Sequence, residues 1–441
     1  MKSEFVPGIS NVVRDDMCIA CGACVAACPS QAVIPSFDDR RGAHEVRIVD
    51  SAACASCPAP CDDVCPSLEV DLVDLLQSRV AVRRSGPVSS TWLAAVPRHR
   101  DNGVSSSGGV LRALIHRAIE RGSPVVCLTR QGDDYGPELI EDLGDLGRVP
   151  GSIYHSVSFV RAIEVLRSAG RPCVLVATPC QLEGIAKFVR SVEPDLDSQI
   201  ALRVGLICGW MYSRHALEAF AYHKQVDVSG GIDDATYRGE GEAGNLVITT
   251  QGERHEFDRR TFDGLGDRID YQSSFSRYAN RLRCRVCEDH VNVLADVAVG
   301  DAWLERKRGQ KLSLVVVRSA RGEAAIADLR AHEEVEMEAA DAGDLVESQS
   351  TNLVEGIEAR LFNEYLAGHG STTPTFRFGD GEIESTGPTA IQRGAFRFEL
   401  LMRGTLRGGR YRRFRRLYTA RDVSSRFVRR MRRLAGREKP R

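Results

Sequence analysis

At 441 residues, with 43% hydrophobic and 27% charged residues, the chain has the composition of an ordinary globular protein, long enough for two or three cored domains. It has no run of about 18 apolar residues, which excludes a membrane-spanning helix. The net charge of −1 hides an asymmetry: residues 389–441 carry 18 Lys and Arg against 3 Asp and Glu, leaving −16 on residues 1–388. The opening "MKSEFVPGIS" lacks the basic and apolar regions of a secretory signal, so a cytoplasmic protein is expected. In that compartment 14 cysteines point to metal or redox work rather than to disulfides.

Residues 1–84 hold eight of those cysteines and are expected to form a small α+β ferredoxin-like domain. "CIACGACVAACP" sets Cys18, Cys21, Cys24 and Cys28 at the C-x2-C-x2-C-x3-C-P spacing of two-cluster bacterial ferredoxins. Such spacing lets one loop wrap three corners of a 4Fe-4S cubane, while the fourth cysteine, set off by proline, reaches the other cluster. "CASCPAPCDDVCP" supplies Cys54, Cys57, Cys61 and Cys65, with one extra residue between its second and third cysteines. The usual crossover assigns Cys18, Cys21, Cys24 and Cys65 to one cluster and Cys28, Cys54, Cys57 and Cys61 to the other. A zinc ribbon needs only four ligands, so eight in two proline-terminated runs favour iron–sulfur.

From residue 85 to 340 apolar strand runs alternate with amphipathic helices, which predicts an α/β domain with a mixed, largely parallel sheet. Ser105, Ser106, Ser107, Gly108 and Gly109 open a helix carrying Val110, Leu111, Leu114, Ile115 and Ala118 on one face. Small residues at a helix start either admit a pyrophosphate close to the first amides or simply cap and pack the helix. Buried strands are predicted at "PVVCLT" (124–129), "PCVLVAT" (172–178), "IALRVGLIC" (200–208) and "ADVAVGD" (295–301), with Cys127 and Cys173 as core residues. A helix is predicted from the spacing of Val157, Val160, Ile163 and Leu166. In a parallel sheet, ligands gather at the C-terminal ends of the strands.

Two cysteines fall at such ends, Cys180 in "TPCQ" and Cys208 in "ICGW". Cys284 and Cys287 form a further pair in "RCRVC", an arginine-rich setting that does not read as core. Together these four suffice for a third cluster. For Cys180 two alternatives stand beside that one: an activated thiolate at a helix start, or a buried core residue. Gly300 and Asp301 end their strand at either a cofactor or an ordinary turn.

Residues 341–388 are expected to form a helical extension and linker, with "GHGSTTPTF" as the linker. In residues 389–441, Phe414, Leu417 and Tyr418, then Phe427, Val428, Met431 and Leu434, recur at helical spacing among arginines. This basic amphipathic tail has three candidate partners: an anionic membrane face, the acidic body of the same chain or, least favoured, nucleic acid.

"SSSGG", "PGSIY", "TPCQ", "ICGW", "CRVC" and "GDAW" occur in the order seen in the family of coenzyme F(420) hydrogenase/dehydrogenase beta subunits, which the chain resembles over roughly residues 10–330. The resemblance implies FAD in the α/β domain, with Ser105–Gly109, Ser152, Thr178, Gln181 and Asp301 as its contacts. It also implies a 4Fe-4S cluster on Cys180, Cys208, Cys284 and Cys287, and electron exchange with a redox partner protein or subunit. No catalytic residue is assigned. The chain departs from the family at Ile153, where lysine is common, and at Gly209, where histidine is common. Those departures leave the two-electron donor open between reduced coenzyme F(420) and another carrier. They also leave room for an accessory subunit with no substrate site, or a reductase acting on a glycan or other intermediate.

Overall fold

The computed structural model describes residues 8–54, 57–77, 84–97, 105–132, 134–238, 244–258, 265–379 and 387–434. In the N-terminal segment, β1 (Val33–Asp38) and β2 (Ala43–Ile48) form an antiparallel hairpin, followed by β3 (Glu69–Asp71). Next come β4 (Ser90–Ala95), β5 (Val125–Gln131), β6 (Asp134–Ile140), β7 (Cys173–Ala177) and β8 (Ile200–Leu206). β9 (Asp234–Thr236), β10 (Leu246–Thr250) and β11 (Glu253–Phe257) make a separate three-stranded sheet. β12 (Val297–Asp301), β13 (Ser313–Val317), β14 (Glu336–Ala340) and β15 (Thr375–Arg377) complete the set.

The main sheet has eight strands in the order β14-β4-β13-β12-β8-β7-β5-β6. Its centre, β12-β8-β7-β5, is parallel, and antiparallel strands flank it on both sides. The four apolar runs singled out above are these four parallel strands. The reason is burial on both faces: Cys173, Leu175 and Ala177 of β7 join the core on one side, while Val174 and Val176 join the core on the other. Cys127 and Cys173 are core residues, 1% and 0% exposed.

Helices Val110–Glu120 and Ala320–Ala331 cover one face. On the other, Ala162–Ser168 and Pro179–Ser191 share a core with Ile9, Val12, Met17 and Leu72, so the N-terminal cysteine segment is packed onto the sheet. The helix expected from Val157 and Val160 begins only at Ala162. Residues before it form a loop and a turn, because the Phe159 amide donates to the Ala20 carbonyl (2.9 Å) and the Val160 carbonyl lies against Gly22. Those contacts lay the strap along the first cysteine loop instead.

The region expected as a linker is partly structured: β15 pairs in parallel with β3, Thr375 opposite Glu69, and the Thr372 amide donates to Asp15 (2.7 Å). The tail forms two helices, Ala390–Arg407 and Tyr411–Leu434. Its first part packs on the chain's own body, with Met402, Leu406 and Phe414 buried beside Phe220, Tyr278 and Leu246. Ion pairs of Arg407 with Asp16 and Arg415 with Asp270 add charge complementarity. Of the three partners considered for this part, the acidic body is the one it meets. The side chains of Phe427, Val428, Met431 and Leu434 lie outside the described residues. Among the described residues no helix is long and apolar enough to cross a membrane.

Candidate metal centre

The first cysteine loop is wound by left-handed residues: Asp16, Ala20 and Gly22 have φ of 62°, 52° and 86°. Only glycine serves at position 22, because a Cβ there would meet the Val160 carbonyl oxygen at 2.2 Å. The Ala20 amide turns inward to donate to Cys18 Sγ (3.5 Å). Cys18, Cys21, Cys24 and Cys65 line one small cavity whose other walls include Ile9, Val12, Ile19 and Val46. Burial pushes these thiols up, Cys65 to about 11, and the charges of neighbouring set members push Cys21 and Cys24 further up.

Cys54 and Cys61 are raised by burial, Cys61 next by Asp62, and the charges of Cys28 and Cys57 add to both, so these four cysteines lie within electrostatic reach of one another. Cys28 and Cys57 are half-buried, and, although burial opposes it, local hydrogen bonds hold the Cys28 thiol below its ordinary value. The third set assembles at the C-terminal ends of β7 and β8. Cys180 is pushed up to about 12 by burial, with the charges of Glu183 and Cys284 adding to it. Cys208 feels Cys284 and Cys180, and Cys287 feels Cys180.

The cysteine donor sets are wider than a single zinc ion requires. Four sulfurs on one zinc, at ~2.3 Å each, would stand within about 4 Å of one another. Among the described residues, the set of three or more metal-ligand side chains with donor atoms within 4.8 Å is His116, Glu120 and Glu334, not a cysteine set. The cysteines lie near one another without closing on so small an ion.

The surroundings of Cys284 correct an expectation. Arg281, Arg283 and Arg285 alternate along the turn Leu282–Arg285, and they are 2%, 1% and 2% exposed. Backbone carbonyls and carboxylates make such burial feasible: Arg281 donates to the Cys18 carbonyl (2.7 Å), Arg283 to the Pro66 carbonyl (3.0 Å) and Arg285 to Glu399 (3.1 Å). Alternating arginines around a C-x-x-C pair were visible in the sequence, but burial was not. Asn292, also missed, holds a left-handed φ of 59° and donates to the Ala177 and Leu206 carbonyls, tying together the ends of β7 and β8. His290 and Cys208 exchange backbone and ring hydrogen bonds at 2.9 Å.

Thr178 and Gln181 form a capping box at the start of helix Pro179–Ser191, with Thr178 Oγ1 3.7 Å from Cys180 Sγ. The small-residue loop is joined to the "PGSIY" strap, since the Ser152 amide donates to Ser106 Oγ (3.1 Å). Ser107 donates to the Leu312 carbonyl (2.9 Å), and the Gly108 amide donates to Ser313 Oγ (3.1 Å), so both serve the packing of this loop on β13. Gly108 must be glycine: a Cβ would stand 2.2 Å from the Ala94 carbonyl. Gly109 precedes helix Val110–Glu120 with no side-chain cap, and Lys311 reaches the Ser105 carbonyl (3.4 Å). Asp301 pairs with Arg238 (2.5 Å), whose guanidinium lies 5.6 Å over the exposed Trp303 ring.

A family described as the C terminus of the coenzyme F(420) hydrogenase/dehydrogenase beta subunit matches residues 171–343, and a 4Fe-4S dicluster domain matches residues 17–68. A curated relative, one of the subunits of the F(420)H(2) dehydrogenase of Methanosarcina mazei, is 25% identical over 312 residues, covering 67% of this chain and 80% of the relative. A chain of the F(420)-reducing NiFe hydrogenase complex from Methanosarcina barkeri shares the fold at a TM-score of 0.50 and 16% identity, covering 67% of this chain and 98% of that one. The ordered motifs, the dicluster segment and the matched α/β region make this chain similar to the coenzyme F(420) hydrogenase/dehydrogenase beta subunits, with an iron–sulfur segment ahead of the matched C-terminal region.

Proposed function

We propose that the protein is an iron–sulfur flavoprotein oxidoreductase that passes electrons between a two-electron carrier at FAD and three 4Fe-4S clusters. The observation that carries this reading is the chain of three four-cysteine sets. Cys21 lies within electrostatic reach of Cys180, and Cys28 precedes the next set along the N-terminal fold. FAD would supply the conversion between a hydride pair and single electrons, and the protein's part is to place and tune the centres. The order runs from the Cys180, Cys208, Cys284 and Cys287 set, through Cys18, Cys21, Cys24 and Cys65, to Cys28, Cys54, Cys57 and Cys61 near the surface.

Support for FAD comes from helix Val110–Glu120, whose first-turn amides lack a side-chain cap while Lys311 stands beside the Ser105 loop. An uncapped helix start with a lysine alongside suits a pyrophosphate. Ser105, Ser106 and Ser152 are the proposed loop contacts, and Asp301 with Arg238 closes the far side. Reduced coenzyme F(420) is the first donor to test. The surface-facing cysteine set needs a second redox protein or subunit, and the M. mazei relative is itself named as part of a multi-subunit dehydrogenase. Ile153 and Gly209 favour a second reading, an electron-transfer subunit with no substrate site of its own.

Reconstitution with iron, sulfide and FAD decides between them. About twelve irons and one FAD per chain, with the flavin band bleached by reduced coenzyme F(420) or NAD(P)H, supports the oxidoreductase. A chain that takes up iron but never flavin supports the accessory role.

A further inference from the structure

The turn Leu282–Arg285 stands between two of the cysteine sets and touches both. Arg283 donates from Nε to Ser67 Oγ (3.2 Å) and from Nη2 to the Pro66 carbonyl (3.0 Å), beside Cys65. Its charge acts on Cys65 from one side and on Cys180, Cys284 and Cys287 from the other. Arg281 repeats the arrangement: it donates to the Cys18 and His44 carbonyls (2.7 and 3.1 Å), and its charge reaches Cys18 and Cys284. Arg285, by contrast, turns away to Glu399 and the Phe362 ring.

Arg283 is nearly fully buried, and its carboxylate partner is Glu183 at 3.3 Å. Its Nη1 has no hydrogen-bond partner, an uncommon condition for a buried charged donor. A guanidinium so placed is short of negative charge. Four-thiolate iron–sulfur centres on either side would provide it.

We infer that Arg283, with Arg281 beside it, is a shared charge that sets the reduction potentials of the Cys18/Cys21/Cys24/Cys65 centre and the Cys180/Cys208/Cys284/Cys287 centre together. The inference rests on the third cluster proposed above. Each centre gains one negative charge when it takes one electron from the donor. A fixed positive charge in a low-dielectric interior stabilises the reduced form of each. Because one turn serves both centres, their potentials stay matched, and an electron meets no deep well between them. The Cys28/Cys54/Cys57/Cys61 centre lies beyond the contacts of both arginines described above.

The test is an EPR-monitored redox titration of the reconstituted full chain against Arg283→Gln, Arg283→Lys and Arg281→Gln, with iron counted in each. In Arg283→Gln two of the three cluster signals move to lower potential and the third stays. Arg283→Lys returns both toward the starting values, a rescue that a purely structural strut would not predict. Arg281→Gln moves the same two signals in the same direction, and it carries the test if Arg283→Gln fails to retain iron. Unmoved potentials at about twelve irons, or a shift of one signal only, overturn the coupling while leaving the three-cluster reading intact. An unvaried chain holding about eight irons overturns both.

Discussion

Gly184 faces Cys21: a Cβ built on the glycine would stand 2.8 Å from Cys21 Sγ. Gly184 lies four residues after Cys180 on helix Pro179–Ser191, so one helical turn separates a ligand of one cysteine set from contact with another. In the three-cluster reading proposed above, this closeness sets the separation of two centres, and the missing side chain permits it.

Gly184→Ala therefore sets two effects against each other. Alanine favours the helix by about 1 kcal/mol but pushes on a cluster ligand. We expect the helix to persist and the centre on Cys18, Cys21, Cys24 and Cys65 to be disturbed, with Gly184→Val losing about four irons. Iron analysis with EPR of the dithionite-reduced protein checks this, and full iron with unchanged signals in the valine variant would contradict it.

Cys180→Ala should cost about four irons and leave the two N-terminal clusters in place. Iron and sulfide content of the purified variant gives the answer. An unchanged count would return Cys180 to the role of a core residue.

Phe414 is 0% exposed although it lies in the arginine-rich tail, and its ring meets that of Tyr278 edge-on at 6.4 Å. Phe414→Ala should destabilise the fold by about 3–5 kcal/mol, because the site cannot collapse fully around the lost ring. Thermal unfolding followed by circular dichroism measures it. A change near zero would mean that the tail is not docked in solution.

His155 is held neutral. Burial depresses its pKa from 6.5 to about 4, against the opposing charges of Asp134 and Asp234, and its Nδ1 lies 3.0 Å from the Tyr237 hydroxyl. The unfolded chain binds this proton below about pH 6.5 and the folded chain does not until about pH 4, so acid favours unfolding across that window. Between pH 7.5 and 5.5 the loss from this group is about 1.4 kcal/mol. His155→Gln should remove that part of the pH dependence. Chemical unfolding of both proteins at the two pH values tests it, and parallel pH profiles would refute the assignment.

The cysteine spacing in the sequence leads to the expectation that Cys65 joins the first run and Cys28 the second. A cubane demands three close ligands from one loop and a distant fourth, and in the fold Cys18, Cys21, Cys24 and Cys65 line one cavity. The four central strands were equally legible, since a parallel strand covered on both faces must be apolar throughout. The flanking strands carry weaker patterns. Long-range contacts also override helical spacing at Val157 and Val160, which contacts with the first cysteine loop keep out of the helix.

What only the tertiary structure decided is where charge is buried. Nothing local in the sequence marks Arg281, Arg283 and Arg403 as buried, yet each is at most 3% exposed. Their guanidinium groups are held, though not fully satisfied, by carbonyls and carboxylates far away in the chain, as when Arg281 meets Cys18 and Arg403 meets Asn280. Local sequence carries propensity, periodicity and ligand spacing, because those depend on near neighbours. The partner of a buried charge depends on the whole packed chain, and so does the contact of Gly184 with Cys21.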